Sequence, residues 1–179
     1  MRLAFVLAVA MLAGCGAAVA FASPGAAHFA NADNAAMAAK GHDLYETVCA
    51  SCHGRNLEGQ PLWQLDDQYA HRRAPAHDAT GHTWMHSDEA LFQMVKTGRF
   101  PDWPKTAKSY MPAYGGHLSD GEILAVLAFI KSRWPLGIRV SQAMLNPGLA
   151  GMPKGADKVE WTLPPTCTAS YQRWKTISR

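Results

Sequence analysis

The stretch YETVCASCHGRN, residues 45–56, holds two cysteines three positions apart and a histidine directly after the second. Three chemistries that use close thiols fit poorly. A redox-active dithiol needs a βαβ setting, and no alternating hydrophobic run flanks Cys49. A structural zinc site needs a second pair of ligands, whereas the remaining cysteines, Cys15 and Cys167, stand in the apolar N-terminal stretch and in the tail. A disulfide between Cys49 and Cys52 would close a very small ring and leave His53 without a role. C-x-x-C-H in an exported chain instead fits covalent attachment of one haem. Both thiols add to the porphyrin vinyl groups, and His53 is placed to bind the iron from one face.

Upstream of the motif, AAMAAKGHDLYETV (35–48) is rich in helix formers and sets Met37, Leu44, Tyr45 and Val48 roughly on one face, which predicts a helix running into the cysteines. Downstream, residues 54–86 are crowded with Gly, Pro, Asp and His and hold no period, so they read as loop. Ser87 is a predicted N-cap, followed by Asp88 and Glu89 in the first turn and closed by Gly98, giving a short second helix. Residues 99–117 carry three prolines and the pair Gly115 and Gly116, which excludes a regular element. The strongest helix signal follows. Ser119 and Glu122 form a capping box, Ile123, Val126, Leu127 and Ile130 make an apolar stripe, and Pro135 stops the run. Residues 136–179 lose periodicity and read as an irregular C-terminal extension. No segment alternates convincingly with period two, so the fold class is all-α, with three or more helices and long loops around one covalently bound haem.

The N-terminus has one positive charge, Arg2, then an uncharged run from Leu3 to Ala22 that ends in small residues, the build of a secretory signal over residues 1–22. Two processing points compete. Ala20-Phe21-Ala22 before Ser23 fits ordinary cleavage, and Leu12-Ala13-Gly14-Cys15 resembles a bacterial lipobox whose cysteine is lipidated. The apolar run is also about long enough to serve as an uncleaved anchor. The expected location is the periplasm, with the protein soluble or anchored to the membrane through lipidated Cys15. Residues 23–34, small and polar, read as a flexible leader, and residues 35–135 as the domain.

The chain is 48% hydrophobic and 17% charged, which excludes a disordered polypeptide. Its net charge of +3 is too weak to imply nucleic acid. The charge is uneven, however. Residues 23–89 carry four basic and nine acidic side chains, and residues 90–179 carry twelve basic and five acidic. That split reads either as ordinary surface composition or as a dipole that orients docking on a redox partner.

A haem iron held by His53 needs a sixth ligand, for which Met85, Met94, Met111 and several histidines are candidates. Met94 falls in mid-helix among apolar neighbours and reads as core. Met111 sits in SYMPAYGG, an irregular loop from which a side chain can reach a buried metal.

Residues 35–134 resemble the class I c-type cytochromes: a first helix ending in the haem motif, a loop-rich middle, a Met-Pro loop and a capped last helix. In that family a glycine and an aromatic residue on the first helix pack against an aromatic residue on the last, and Gly41, Tyr45 and Phe129 match by position. The resemblance implies His53 as proximal and Met111 as distal ligand, so that the haem-binding residues are Cys49, Cys52, His53 and Met111. It also implies a proline carbonyl that accepts the histidine Nδ1 proton, for which Pro61 is the candidate. With both axial positions filled the iron has no place for a small-molecule substrate. The expected role is one-electron transfer between redox proteins, with no catalytic residue. Histidine with methionine favours the ferrous state and a relatively high potential.

The resemblance does not extend to the histidine-rich loop or the tail. His77, His82 and His86, with His71 nearby, offer a second metal site or a bis-histidine alternative to Met111, or they bond backbone and water. Trp63, Trp84 and Tyr110 are candidates to donate to the haem propionates, or they pack in the core. Cys167 is an odd thiol whose inertness, intermolecular pairing or reactivity is left open. Two other functions stay in view: the electron-accepting subunit of a periplasmic dehydrogenase, and a metal-handling protein that uses the histidine loop.

Overall fold

A computed structural model describes residues 28–100, 104 and 106–159. The expected signal segment with Cys15, and the tail with Cys167, lie outside the described residues. Helix α1 spans Ala35–Leu44, with the Asn34 side chain accepting from the Met37 amide at 3.0 Å. It does not stop at the motif. A π-helical turn, Tyr45–Cys49, leads into α2, Ala50–His53, so both cysteines and the histidine share one continuous helical run that ends at Gly54. Turns of this wide kind gather at functional sites.

Helix α3, Asp88–Thr97, starts at the Ser87 cap and ends with Gly98 in the left-handed region. Helix α4, Asp120–Ser132, has the full capping box of Ser119 and Glu122. Between α2 and α4 the chain makes one small sheet, in which strand β1, His71–Arg72, pairs in parallel with β2, Lys108–Ser109. That pairing ties the loop after the motif to the loop that carries Met111.

The frame is the crossing of α1 on α4. A Cβ at Gly41 would stand 1.9 Å from the Ala125 carbonyl oxygen, so only glycine allows the two backbones to meet here. One turn on, Tyr45 is 0% exposed and its ring lies 5.3 Å from that of Phe129. The expected trio is therefore in contact. Ile123, Val126, Leu127 and Ile130, the stripe read from the sequence, are all buried. They split between two clusters, one around Tyr45 and Trp134 and the other around Phe92 under α3.

Two expectations for the flanks are corrected. Residues 28–34 of the flexible leader are packed. His28 stacks on Phe92 at 3.5 Å, and Ala30 is fully buried with its amide 3.0 Å from Asp88 Oδ2. Part of the irregular extension is helical as well, since α5, Leu136–Ala143, buries Val140, Gln142 and Ala143. Its sequence, LGIRVSQA, has a glycine and two β-branched residues and is a weak helix former in isolation. Tertiary burial supplies what local propensity lacks.

The flanks meet the domain at a buried polar network. Lys131 Nζ lies 2.7 Å from both Asp88 oxygens, and the two residues are 2% and 1% exposed. Gln142 Nε2 donates to Asp88 at 2.7 Å, and Asn146 accepts from the Asp88 amide at 2.8 Å. Asp33 of the leader pairs with Arg139 of α5 and accepts from the Lys154 amide. Leader and extension thus clasp each other over the α3–α4 corner.

Candidate functional site

A cavity of about 500 Å³ opens between the motif, the loop 60–86, α3, α4 and the Met111 loop. That volume is in the range of small-molecule and cofactor pockets, about 300–1,000 Å³. Cys49, Cys52, His53 and Met111 all reach its wall.

The motif side is built by the helical run. Tyr45 Oη donates to the Gly54 carbonyl at 2.8 Å and clamps the end of α2. Burial pushes the Cys49 thiol up to about 11, so it stays protonated at neutral pH, the opposite of an activated redox dithiol. His53 is buried, and that burial holds its proton affinity below the ordinary imidazole value. Its Nδ1–H donates to the Pro75 carbonyl at 3.0 Å, which leaves Nε2 as the free donor atom. The expected proline was Pro61. That assignment is overturned, for the Pro61 carbonyl instead faces Arg73 Nη1 at 3.4 Å. The loop between the two prolines folds back on itself, with Gln60 and Ala74 bonded backbone to backbone, and places the later proline behind the imidazole.

The opposite side is held by the end of α3. Its last carbonyls need partners, and the Met111 loop supplies them: Tyr114 N–H bonds the Val95 carbonyl at 3.1 Å and Gly115 N–H that of Lys96 at 2.9 Å. A Cβ at Gly98 would stand 2.7 Å from the Met111 carbonyl oxygen, so the αL cap of α3 also makes room for this loop. Ser109 Oγ accepts from the Met111 amide at 3.0 Å. Tyr114 Oη reaches the Val48 carbonyl at 3.4 Å and closes the loop onto the motif.

Of the other methionines, Met94 also lines the cavity from α3, whereas Met85 is 55% exposed and does not. His77, His82 and His86 line it too, and burial lowers the proton affinity of each, most strongly at His77. His71 stacks on Tyr110 outside the wall, at 4.2 Å. No group of three or more His, Cys, Asp or Glu among the described residues is arranged to hold a metal ion. Trp63 and Tyr110 are on the wall, while Trp84 packs in the core and donates its indole N–H to the Gly81 carbonyl at 3.0 Å. Sequence reading missed Arg72 and Arg73, which join the wall beside Trp63, and Arg73 Nε is buried without a partner. Only the adjacent basic pair marks them in the sequence.

The profile of the family described as Cytochrome c matches residues 38–134, more than half of the chain. The chain belongs to the cytochrome c family. No solved structure matches it. As a member of that family it is an electron-transfer cytochrome that binds covalently attached haem c and works with redox protein partners. The resemblance to class I c-type cytochromes and the all-α expectation are borne out. The cavity fits the cofactor on its own evidence. Two thiols and a histidine with a free Nε2 stand on the wall, thioethers stand there too, and Arg73, whose Nε is buried without a partner, joins them. Clasp and α5 lie largely beyond the matched residues, so this cytochrome carries packed flanks around the family domain.

Proposed function

We propose that the protein is an exported monohaem electron carrier whose iron is ligated by His53 and Met111 and whose haem is attached through Cys49 and Cys52. One observation supports this most. The two thiols, the His53 ring with its Nδ1–H on Pro75, and the Met111 loop pinned to the end of α3 converge on one cavity.

Cys49 and Cys52 attach the ring and remove any dependence on free cofactor. Pro75 fixes the tautomer of His53 and raises the basicity of Nε2, the usual work of a carbonyl behind a metal-bound imidazole. Met111, a neutral thioether, favours the ferrous state. Val126, Leu127 and Ile130 of α4, with Leu91 and Val95 of α3, line the wall with hydrocarbon and keep water out. Haem c, when bound, supplies a one-electron couple, and no side chain has to act as acid, base or nucleophile.

Met111 is preferred to Met94 because its loop is anchored by backbone bonds on both sides, so its side chain is free to serve a ligand. Met94 belongs to the regular face of α3. The N-terminal segment directs export to the periplasm, with a free or a Cys15-lipidated form as the product. No helix among the described residues is long and apolar enough to cross a membrane.

The test is a comparison of Met111→Ala with Met94→Leu in the haem-loaded protein. Met111→Ala should abolish the weak far-red band of methionine-bound ferric haem, admit added imidazole and lower the reduction potential. Met94→Leu should keep all three properties. Wild-type behaviour in Met111→Ala, with loss in Met94→Leu or in a variant at His77, His82 or His86, would overturn the ligand assignment.

A further inference from the structure

The carbonyl of Pro75 holds one atom of His53. A carbonyl accepts over a broad range of directions, so this single bond sets the tautomer and tilt of the ring but leaves rotation of its plane loosely held. A second ring restrains that rotation. The His77 imidazole lies on that of His53 with centroids 4.2 Å apart and planes 19° from parallel. We propose that His77 is a positioning residue for His53: its stacked ring fixes the plane of the proximal imidazole and thereby the electronic asymmetry of the iron that His53 binds. The inference rests on the reading of His53 as an axial ligand.

His77 is suited to the task because every part of it is anchored, and by different elements. Its amide donates to the Leu57 carbonyl at 2.7 Å, in the loop that follows α2. Leu57 holds φ at +69°, a strained value for leucine, and its carbonyl accepts from the amides of both His77 and Asp78. The His77 carbonyl accepts from Trp134 Nε1 at 2.7 Å, at the end of α4. The ring is fixed by Thr83, whose Oγ1 lies 2.7 Å from His77 Nδ1 and 3.3 Å from the Ala76 carbonyl. Thr83 has one hydroxyl proton, which goes to Ala76, so Thr83 accepts from His77 Nδ1–H. His77 is therefore tied to three separate parts of the fold, twice through its backbone and once through its ring, and that ring lies on the face of His53. A residue that only filled space would not need a backbone anchor at each end and a third on the ring.

The orientation of an axial imidazole plane is read by the order and spread of the hyperfine-shifted haem-methyl proton resonances and by the rhombicity of the low-spin ferric EPR signal. Loss of stability alone does not move either. In the haem-loaded full chain, His77→Ala should change the methyl order or spread and alter the rhombicity. His77→Phe, which keeps a flat ring without the Nδ1–H, should retain the wild-type pattern. A wild-type pattern in His77→Ala overturns the proposal, and so does a Phe variant that moves as far as the Ala variant. Should His77→Ala fail to fold or to take haem, His77→Leu fills the space without a flat ring. It should shift the pattern, and an unchanged pattern there overturns the proposal equally. Failure of the underlying ligand assignment looks different, because the wild-type protein itself would then lack the hyperfine-shifted ring protons of an axial His53.

Discussion

Gly41→Ala tests the frame on which the cavity is built. The new Cβ would stand 1.9 Å from the Ala125 carbonyl oxygen, 2.4 Å from its carbon and 3.0 Å from Phe129 Cβ. The first two obstacles are main chain, so no change of rotamer relieves them. To reach ordinary contact the helices must part by about 1.5 Å, and a gap of about 0.5–1 Å already forfeits a quarter to a half of the attraction between facing atoms. Overpacking a filled core costs about 1–3 kcal/mol, and more where the obstacle is rigid. Replacing glycine by alanine inside a helix would otherwise gain about 0.5–1 kcal/mol. The clash wins, and the expected net loss is about 2 kcal/mol or more. Guanidinium unfolding of the haem-loaded protein, followed by tryptophan fluorescence, measures it. Gly121→Ala is the control, because a Cβ there meets nothing within 4 Å and the variant should be as stable as the parent or more so. A Gly41→Ala midpoint at or above the wild-type value, with an unchanged slope, would refute the argument that backbone contact holds this crossing.

Asp88→Asn leaves the Lys131 ammonium buried beside a neutral amide and should cost about 3–5 kcal/mol in the same assay, whereas a surface ion pair would cost less than about 1 kcal/mol. A loss near the smaller figure would show that the clasp is not anchored there. Acid should also destabilise the fold. Burial holds His77 neutral well below the ordinary imidazole pKa, while the unfolded chain binds that proton near pH 6.5. Below that pH the unfolded state carries more protons, so stability falls as pH falls, by up to about 1.4 kcal/mol per unit from this residue. Thermal unfolding across pH 5–7 should show a flatter acid limb in His77→Phe, and equal slopes would assign the effect elsewhere. Cys15→Ser should move the protein from the membrane to the soluble fraction if the lipobox is used. A wild-type protein that is already soluble and begins at Ser23 would remove the lipid anchor from the account.

The elements that the sequence determined are those whose cause is local. The capping serines at 87 and 119, the αL glycine at 98 and the apolar stripe of α4 each act within a turn or two of chain, and each stands where it was read. The C-x-x-C-H motif was legible for the same reason, since its chemistry is a spacing of three residues on one helical run. Gly41, Tyr45 and Phe129 became legible through resemblance, which stores the outcome of a long-range contact as a pattern. What the tertiary structure alone decided is which distant partner completes a local offer. Pro61 and Pro75 present the same carbonyl to a sequence reader, and the course of the loop between them gives His53 to the later one, 22 residues away. His77 reads in the sequence as a candidate metal ligand or a histidine bonded to backbone and water, and its stacked position is set by Leu57, Thr83 and Trp134, the last across 57 residues. The leader and α5 carry too weak a local signal to fold alone, and they are ordered by a buried Asp88–Lys131 pair joined across 43 residues. Contacts of this kind leave no period in the chain, because their energy exists only when both partners are already in place.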